Sequence, residues 1–226
     1  MCGRFTLTVS ADLLAQTFNL PLLPNWEARY NIAPTQPVVT VLKPSAQEKK
    51  QFQMMKWGLV PSWSKDPKIG AKMINARSET VHEKPSFRTP FRRQRCLIPA
   101  DGFYEWTEGE AGKQPIYIRK KDQSVFAFAG LWDHWEKGDE VIDSCTIITS
   151  EPNELLKKYH HRMAVMLRPE DYDLWMDPDM NEPEPLLELL KPYPAEEMEA
   201  FAVNKTVNNA RNDVPECIEP IENSLL

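Results

Sequence analysis

Short apolar runs and strict alternations punctuate the chain far more often than long helical periodicities do. Residues 37–42 (PVVTVL) and 51–60 read as two strands, with the polar stretch 43–50 as the turn between them. Further strands are expected over 95–106, 115–119, 125–135 and 141–150, and an extended segment over 163–167. Residues 10–18 (SADLLAQTF) have a Ser at the cap position and an amphipathic spacing, which predicts a helix. Shorter helices are expected over 75–83, 153–159, 169–176 (with Pro at its start) and 185–190. Strands fall in neighbouring pairs rather than alternating with long helices. The expected class is therefore α+β, with mostly antiparallel sheets curled into a barrel-like form and short helices at the periphery. The 20 prolines are scattered, no repeat or linker divides the chain, and residues 1–226 read as one domain.

Composition narrows the class. With 226 residues, 42% hydrophobic and 10% aromatic, the chain is long enough to bury a core and too apolar for disorder. No apolar run approaches the roughly 18–20 residues of a membrane span, and the opening MCGRFT has no signal-peptide pattern. The expectation is a soluble, non-secreted, cytoplasmic protein, nucleoid-associated if the source is bacterial. Net charge is −6, but it is unevenly spread. Residues 1–130 carry 19 Lys+Arg against 11 Asp+Glu, whereas residues 170–226 carry 3 against 15. A basic face for a polyanion and an acidic C-terminal part within or packed on the domain are both compatible with that split.

The four cysteines, Cys2, Cys96, Cys145 and Cys217, lie tens of residues apart, and neither they nor His82, His134, His160 and His161 have zinc-site spacing. The reading therefore calls for no metal and no cofactor. Cys96 and Cys145 sit in apolar runs and read as core thiols; Cys217, in a polar stretch, reads as incidental. Cys2 differs because it follows the initiator Met. Removal of Met1 would leave an α-amine and a thiol on one residue, with ordinary pKa values of roughly 8 and 8.5. Such a 1,2-aminothiol condenses with an aldehyde to an imine and then closes a five-membered thiazolidine. It can also act as an N-terminal-nucleophile hydrolase, the amine serving as base for the thiol. The plain alternative is a chance Cys beside a start codon.

Other positions carry weaker chemistry. Asn75 and Arg77, in INARSET, would stand at the mouth of the 75–83 helix, a ready anion site; taken alone, ordinary capping plus a surface Arg is the favoured reading. Glu105 lies between Tyr104 and Trp106, where apolar company would raise its pKa and suit it to general acid–base work; a water-facing strand Glu is the alternative. Asp101 reads as a turn residue before Gly102. His160 ends a helix ahead of Arg162, as a proton shuttle or merely as a partner of the helix dipole. Trp63, beside Pro61, is the tryptophan placed to stand on a loop and stack on an unpaired base. Arg88, Arg92, Arg93 and Arg95 form a basic cluster that reads either as a phosphate-tracking stripe or as solvated charge.

Taken in order, MCGRF, RYNIAPTQ, WGLVP, INARSE, GFYEW, FAGLW and HHRM form a series that resembles the SOS response-associated peptidase (SRAP) family over nearly the whole chain, from Met1 to the Asn212-Asp213 stretch. The resemblance implies a single α+β domain that shields abasic sites in single-stranded DNA through a covalent DNA–protein crosslink. Cys2 matches the family's N-terminal cysteine, and the implied linkage is the thiazolidine. Asn75 matches the residue that positions the amine and sugar, Glu105 the acid–base carboxylate, and His160 the histidine that assists ring opening and reversal. Arg77 and Arg162, with Arg4 less directly, match holders of flanking phosphates. Pro34 and Trp63 match a wedge beside the lesion, and Thr149 a threonine lining the pocket. Two positions depart from the pattern: Ala164 stands where a Pro often follows His-x-Arg-Met, and Ser64 stands where some members carry a second aromatic.

The partner implied is single-stranded DNA carrying abasic sites, engaged by a monomer with no membrane and no metal. Two rivals remain in view. One is a Cys2-dependent autoproteolytic peptidase. The other is a non-covalent reader of modified DNA. A lyase side reaction through the imine, with Glu105 or His160 taking the proton, is chemically open to the same residues.

Overall fold

The apolar runs in the middle of the chain close on themselves. A computed structural model describes residues 2–109 and 112–221. Its strands, in order, are β1 (Phe5–Leu7), β2 (Arg29–Ile32), β3 (Pro37–Leu42), β4 (Gln51–Trp57), β5 (Asn75–Arg77), β6 (Arg95–Ala100) and β7 (Gly102–Gly109). They continue as β8 (Gly112–Lys120), β9 (Phe126–Lys137), β10 (Glu140–Ser150), β11 (Met163–Ala164), β12 (Met166–Leu167) and β13 (Met198–Ala202). Strand β10 pairs with β9 on one side and with β4 on the other; β4 continues to β3, β3 to β6 and β6 back to β9. These five strands form a closed ring, which removes the free edges that an open sheet leaves. The short strands β5, β11 and β12 hang on this ring, β5 running parallel to β10.

The remaining strands form a second sheet in the order β13-β8-β7-β1-β2. Aromatic side chains join it to the barrel. Phe5 of β1 meets Trp57 of β4 edge-on at 5.1 Å between ring centres and Phe128 of β9 at 5.8 Å, while Phe103 of β7 meets Phe128 at 5.9 Å. Edge-to-face pairs of this kind favour one orientation, so they fix the angle between the sheets as well as burying area.

Helices are few and short: α1 (Ala11–Phe18), α2 (Arg88–Arg93), α3 (Tyr172–Met176) and α4 (Pro183–Glu188). Helix α1 follows the sequence pattern closely. The Ser10 hydroxyl accepts from the Leu13 N–H, Leu14 and Phe18 are buried, and Asn19 ends the helix in the left-handed region. The α+β class, the antiparallel pairing and the barrel-like closure expected from sequence are all present.

Several local expectations are corrected. Residues 75–83 are not a helix: 75–77 form β5 and the rest is turns. The Ile147, Ile148 and Thr149 backbone offers that segment a parallel pairing partner, and tertiary pairing outweighs local helical preference. The single strand expected over 95–106 is two, broken at Asp101, with β6 in the barrel and β7 in the other sheet. Residues 153–159 contain only the 3-10 turn Leu156–Lys158. Arg95 does not join Arg88, Arg92 and Arg93 on the surface. It is buried, and its guanidinium donates to the carbonyls of Phe91 and Trp175, each at 2.6 Å. Cys217 is not incidental either: it is fully buried with Tyr104, Tyr117, Val203 and Val207 in a second apolar cluster. Cys96 and Cys145 are core thiols as expected.

Candidate active site

The site lies on the seam between the two sheets. Cys2 precedes β1 and is fully buried, its thiol facing the Arg4 carbonyl at 4.0 Å. Burial, with the Glu105 carboxylate adding to it, pushes the thiol up to about 12, so the sulfur here is neutral. Met1, whose removal the aminothiol chemistry requires, lies outside the described residues.

Asn75 reaches the same residue from the barrel side. Its Nδ2 donates to the Cys2 carbonyl at 2.9 Å, and its Oδ1 is buried without a hydrogen-bond partner among the described residues. Because β5 is a strand, Asn75 acts here as a cross-sheet clasp, and the helix-terminus anion site expected from sequence does not form.

Glu105 sits on β7, opposite Ile116 of β8, and is only 4% exposed. Desolvation raises its carboxyl from an ordinary 4.5 to about 7. Such a group holds and releases a proton near neutrality. His160 follows the Leu156–Lys158 turn, its Nδ1 accepting the Arg162 N–H at 2.9 Å and its ring stacked on His161 at 4.3 Å. Partial burial lowers its pKa. Arg4, Glu105 and His160 line one hollow with Trp106, Lys113 and Asn208, and the fully buried Cys2 is not among its lining residues.

A second group gathers where β5 meets β10. Thr149 is buried, pairs with Arg77 across the ladder, and its hydroxyl donates to the Ala76 carbonyl at 3.3 Å. Arg77 is exposed. Arg162 is turned inward: it makes a two-pronged ion pair with Glu79 and donates to the Thr149 carbonyl. That pairing holds the Glu79 carboxyl below its usual value.

Trp63 stands 60% exposed on its loop, as the sequence led one to expect. The loop is rigidly mounted, since Asp133 accepts the Ser62 N–H at 2.8 Å and the Trp135 indole donates to the Ser64 carbonyl at 2.7 Å. Trp63 opens on a separate hollow with Lys65, Lys68 and Lys72, and none of the other expected site residues lines it. Pro34 is half-buried in the turn after β2. Ala164 is buried in β11 opposite Thr149, and Ser64 is half-buried below Trp63.

Sequence reasoning passed over Asn31 and took Asp101 only for a turn residue. The Asn31 amide donates to the carbonyls of Val207, Asn209 and Asn212 at 3.2, 3.0 and 2.6 Å and accepts from Arg4 at 2.6 Å. The Asp101 carboxylate accepts from the Thr6 hydroxyl, the Thr8 N–H and the Thr8 hydroxyl at 2.5, 2.5 and 2.6 Å. Asp101 is thus a buried hub as well as a turn residue. Its position one residue before a strand, in an otherwise apolar run, was the available signal.

Comparison with known proteins gives the family and the fold. The family model described as SOS response associated peptidase (SRAP) matches residues 1–210. The chain is 45% identical over 224 residues to the abasic site processing protein YoqW of Bacillus subtilis strain 168, covering 97% of this chain and 99% of that one. It is 32% identical over 273 residues to the abasic site processing protein HMCES of Pongo abelii, covering 98% and 77%. A crystal structure of a protein from Bacteroides thetaiotaomicron superposes with a TM-score of 0.85 at 28% identity, covering 97% of this chain and all of that one.

Proposed function

The chain belongs to the SOS response associated peptidase (SRAP) family, and from that premise we propose that it captures abasic sites in single-stranded DNA as a covalent DNA–protein crosslink through Cys2. The relatives' name, abasic site processing protein, supports the substrate. The observation that carries the reading is the clasp of Asn75 on Cys2 beside a buried Glu105 whose carboxyl titrates near 7.

The chemistry needs Met1 removed. The Cys2 amine adds to the aldehyde of the ring-opened sugar, giving a carbinolamine; loss of its hydroxyl as water leaves an imine. Glu105 supplies the proton for that departure, and its raised pKa keeps a large fraction protonated at neutral pH. The thiol then adds across the C=N bond, its proton passing to nitrogen, and the thiazolidine closes. The buried sulfur is neutral, so the amine is the group that attacks first. The unpartnered Asn75 Oδ1 is an acceptor for that amine. His160 assists sugar ring opening and the reverse reaction, while Arg77, Arg162 and Arg4 hold backbone phosphates without reading sequence. A sugar inside duplex DNA is poorly accessible to a buried cysteine, which favours single strands.

The same residues support two subsidiary activities. The Cys2 thiol attacking the Met1 carbonyl would break the C–N bond, free the Cys2 amine and leave Met1 as a thioester on sulfur; water hydrolysing that thioester would release Met1 and restore the thiol, the autoproteolytic step the family description suggests. Elimination from the imine, with Glu105 or His160 taking the proton, would cut the strand.

Purified protein, with loss of Met1 checked by mass, is incubated with single-stranded DNA carrying one abasic site and run on a denaturing gel. A shifted band that needs both the lesion and Cys2 is expected, absent with undamaged strand, reduced with duplex and lost in Cys2→Ala. No band with Met1 absent rejects crosslinking and brings peptide hydrolysis forward. Retained affinity for the lesion in Cys2→Ala without any covalent product in the parent protein favours the non-covalent reader.

A further inference from the structure

Trp63 is the most exposed large apolar side chain among the described residues, and the one aromatic in that exposed set. The backbone that carries it is nonetheless tied down at each end. The Ser64 N–H donates to the Pro61 carbonyl at 2.8 Å, closing a four-residue turn with Ser62 and Trp63 at its apex.

Strand β9 grips that turn with alternate residues of one face. The buried Asp133 accepts the Ser62 N–H at 2.8 Å, and the buried Trp135 donates its indole N–H to the Ser64 carbonyl at 2.7 Å. Lys137 donates to the Lys65 carbonyl at 3.2 Å. The spacing is the strand period, so successive side chains of one face meet successive points along the loop. The other Asp133 oxygen accepts the His134 N–H at 2.9 Å, which fixes the orientation of the carboxylate. On the neighbouring strand β10, the Ser144 hydroxyl accepts the Val60 N–H at 2.8 Å and holds the approach to the turn.

Buried polar side chains usually satisfy other buried groups. Here a buried carboxylate and a buried indole N–H are directed at a turn whose one large side chain stands in solvent. We propose that Asp133 and Trp135 are positioning residues for Trp63, holding the turn so that the indole face is already fixed when an unpaired base stacks on it. The proposal rests on the reading of Trp63 as a stacking surface for single-stranded DNA and adds the two residues that make that surface rigid. A ring held beforehand loses little conformational freedom on binding, whereas a mobile one must be ordered by the base itself. Both positioning residues are buried, so they act on the strand only through Trp63.

The experiment measures binding of a single strand with one unreactive tetrahydrofuran site, by fluorescence anisotropy, in the parent, Asp133→Asn, Trp135→Phe and Trp63→Ala. Asn keeps the shape of Asp133 but has one acceptor oxygen where the carboxylate has two, and Phe keeps an aromatic ring without the N–H. Trp63→Ala is expected to weaken binding about tenfold, the scale of one lost base–aromatic stack. Asp133→Asn and Trp135→Phe should each weaken it about threefold, the scale of ordering one side chain. Neither should weaken it further once Trp63 is Ala. Capture of free 2-deoxyribose, which has no base to stack, should keep the parent's rate in both variants, read by mass. Losses that multiply with Trp63→Ala, equal slowing of free-sugar capture, or no loss in either variant overturn the proposal. Fluorine NMR of protein labelled with 5-fluorotryptophan separates the two layers. The Trp63 resonance, identified by its absence from Trp63→Phe, should narrow in Asp133→Asn and in Trp135→Phe as the ring gains freedom. If Trp63→Ala binds the strand as tightly as the parent, stacking fails; a narrowed resonance then keeps the positioning role, and an unchanged one removes it.

Discussion

The closed barrel and the five-stranded sheet meet at one seam but differ in where their buried polar groups lie relative to the candidate site. The barrel buries aliphatic side chains such as Val41, Leu97, Leu131 and Ile147 with essentially no exposure. Burial of that kind is strong but non-directional. The five-stranded sheet buries polar groups as well: Asp101 with Thr6 and Thr8, Tyr117 with Thr6 at 2.9 Å, and Asn31 with three carbonyls and Arg4. Hydrogen bonds fix angles as well as distances. The hydrogen-bonded sheet carries Cys2, Arg4 and Glu105, whereas the barrel contributes Asn75, Arg77 and Thr149. The barrel has buried polar groups of its own, Arg95 among the carbonyls around α3 and Ser144 with the Val60 N–H, but those of the five-stranded sheet lie beside Cys2 and Glu105.

Substitutions should separate the two means of support. Asp101→Ala strands the Thr6 and Thr8 donors and is expected to cost about 3 kcal/mol in urea unfolding, with crosslinking falling alongside. A loss below about 1 kcal/mol would deny the hub its role. Glu105→Gln is expected to slow crosslinking yet stabilise the fold at high pH. The folded carboxyl titrates near 7 against an ordinary 4.5, so the native state binds its proton more tightly. The stability this provides is full below 4.5 and is lost as pH rises through 7. The glutamine variant escapes that loss, so it should gain on the order of 2 kcal/mol over the parent at pH 8 and little at pH 4. Equal shifts in melting temperature at both pH values would point to packing instead.

On the barrel side, Ile147→Val should cost about 1 kcal/mol and leave the crosslinking rate alone. A tenfold slower rate from that methylene would mean the barrel, too, sets reactive angles. The smallest effect is expected at the exposed pair: Glu79→Gln should change stability by less than about 0.5 kcal/mol. It should release Arg162 and steepen the salt dependence of DNA binding, measured by anisotropy.

The parts of the fold legible in sequence were those with local causes. The Ser10 cap, the run of residues 37–42 and the strands that became β9 and β10 each declare themselves within a dozen residues. Cys2, Glu105 and His160 were singled out as candidates by residue type and neighbours, each beside a plain alternative, and only the family resemblance drew them together. What failed was decided by distant partners. Asn75 lies in a strand because β10 pairs with it about seventy residues later, and Arg95 is buried because the carbonyls around α3 enclose it. Asn31 and Cys217 looked ordinary for the same reason: their partners lie far along the chain.

The Asn31 junction also imposes an order in time. Its amide meets the Asn212 carbonyl across 181 residues, and Asp213 accepts the Asn31 N–H across 182. During synthesis Cys2 and Arg4 leave the ribosome long before the segment that locks Arg4 in place. A nascent chain therefore carries Cys2 and Arg4 before it has the contacts that hold Arg4 in position. Under the crosslinking proposal, capture aimed at a DNA strand begins only once that distant segment has folded back onto Arg4.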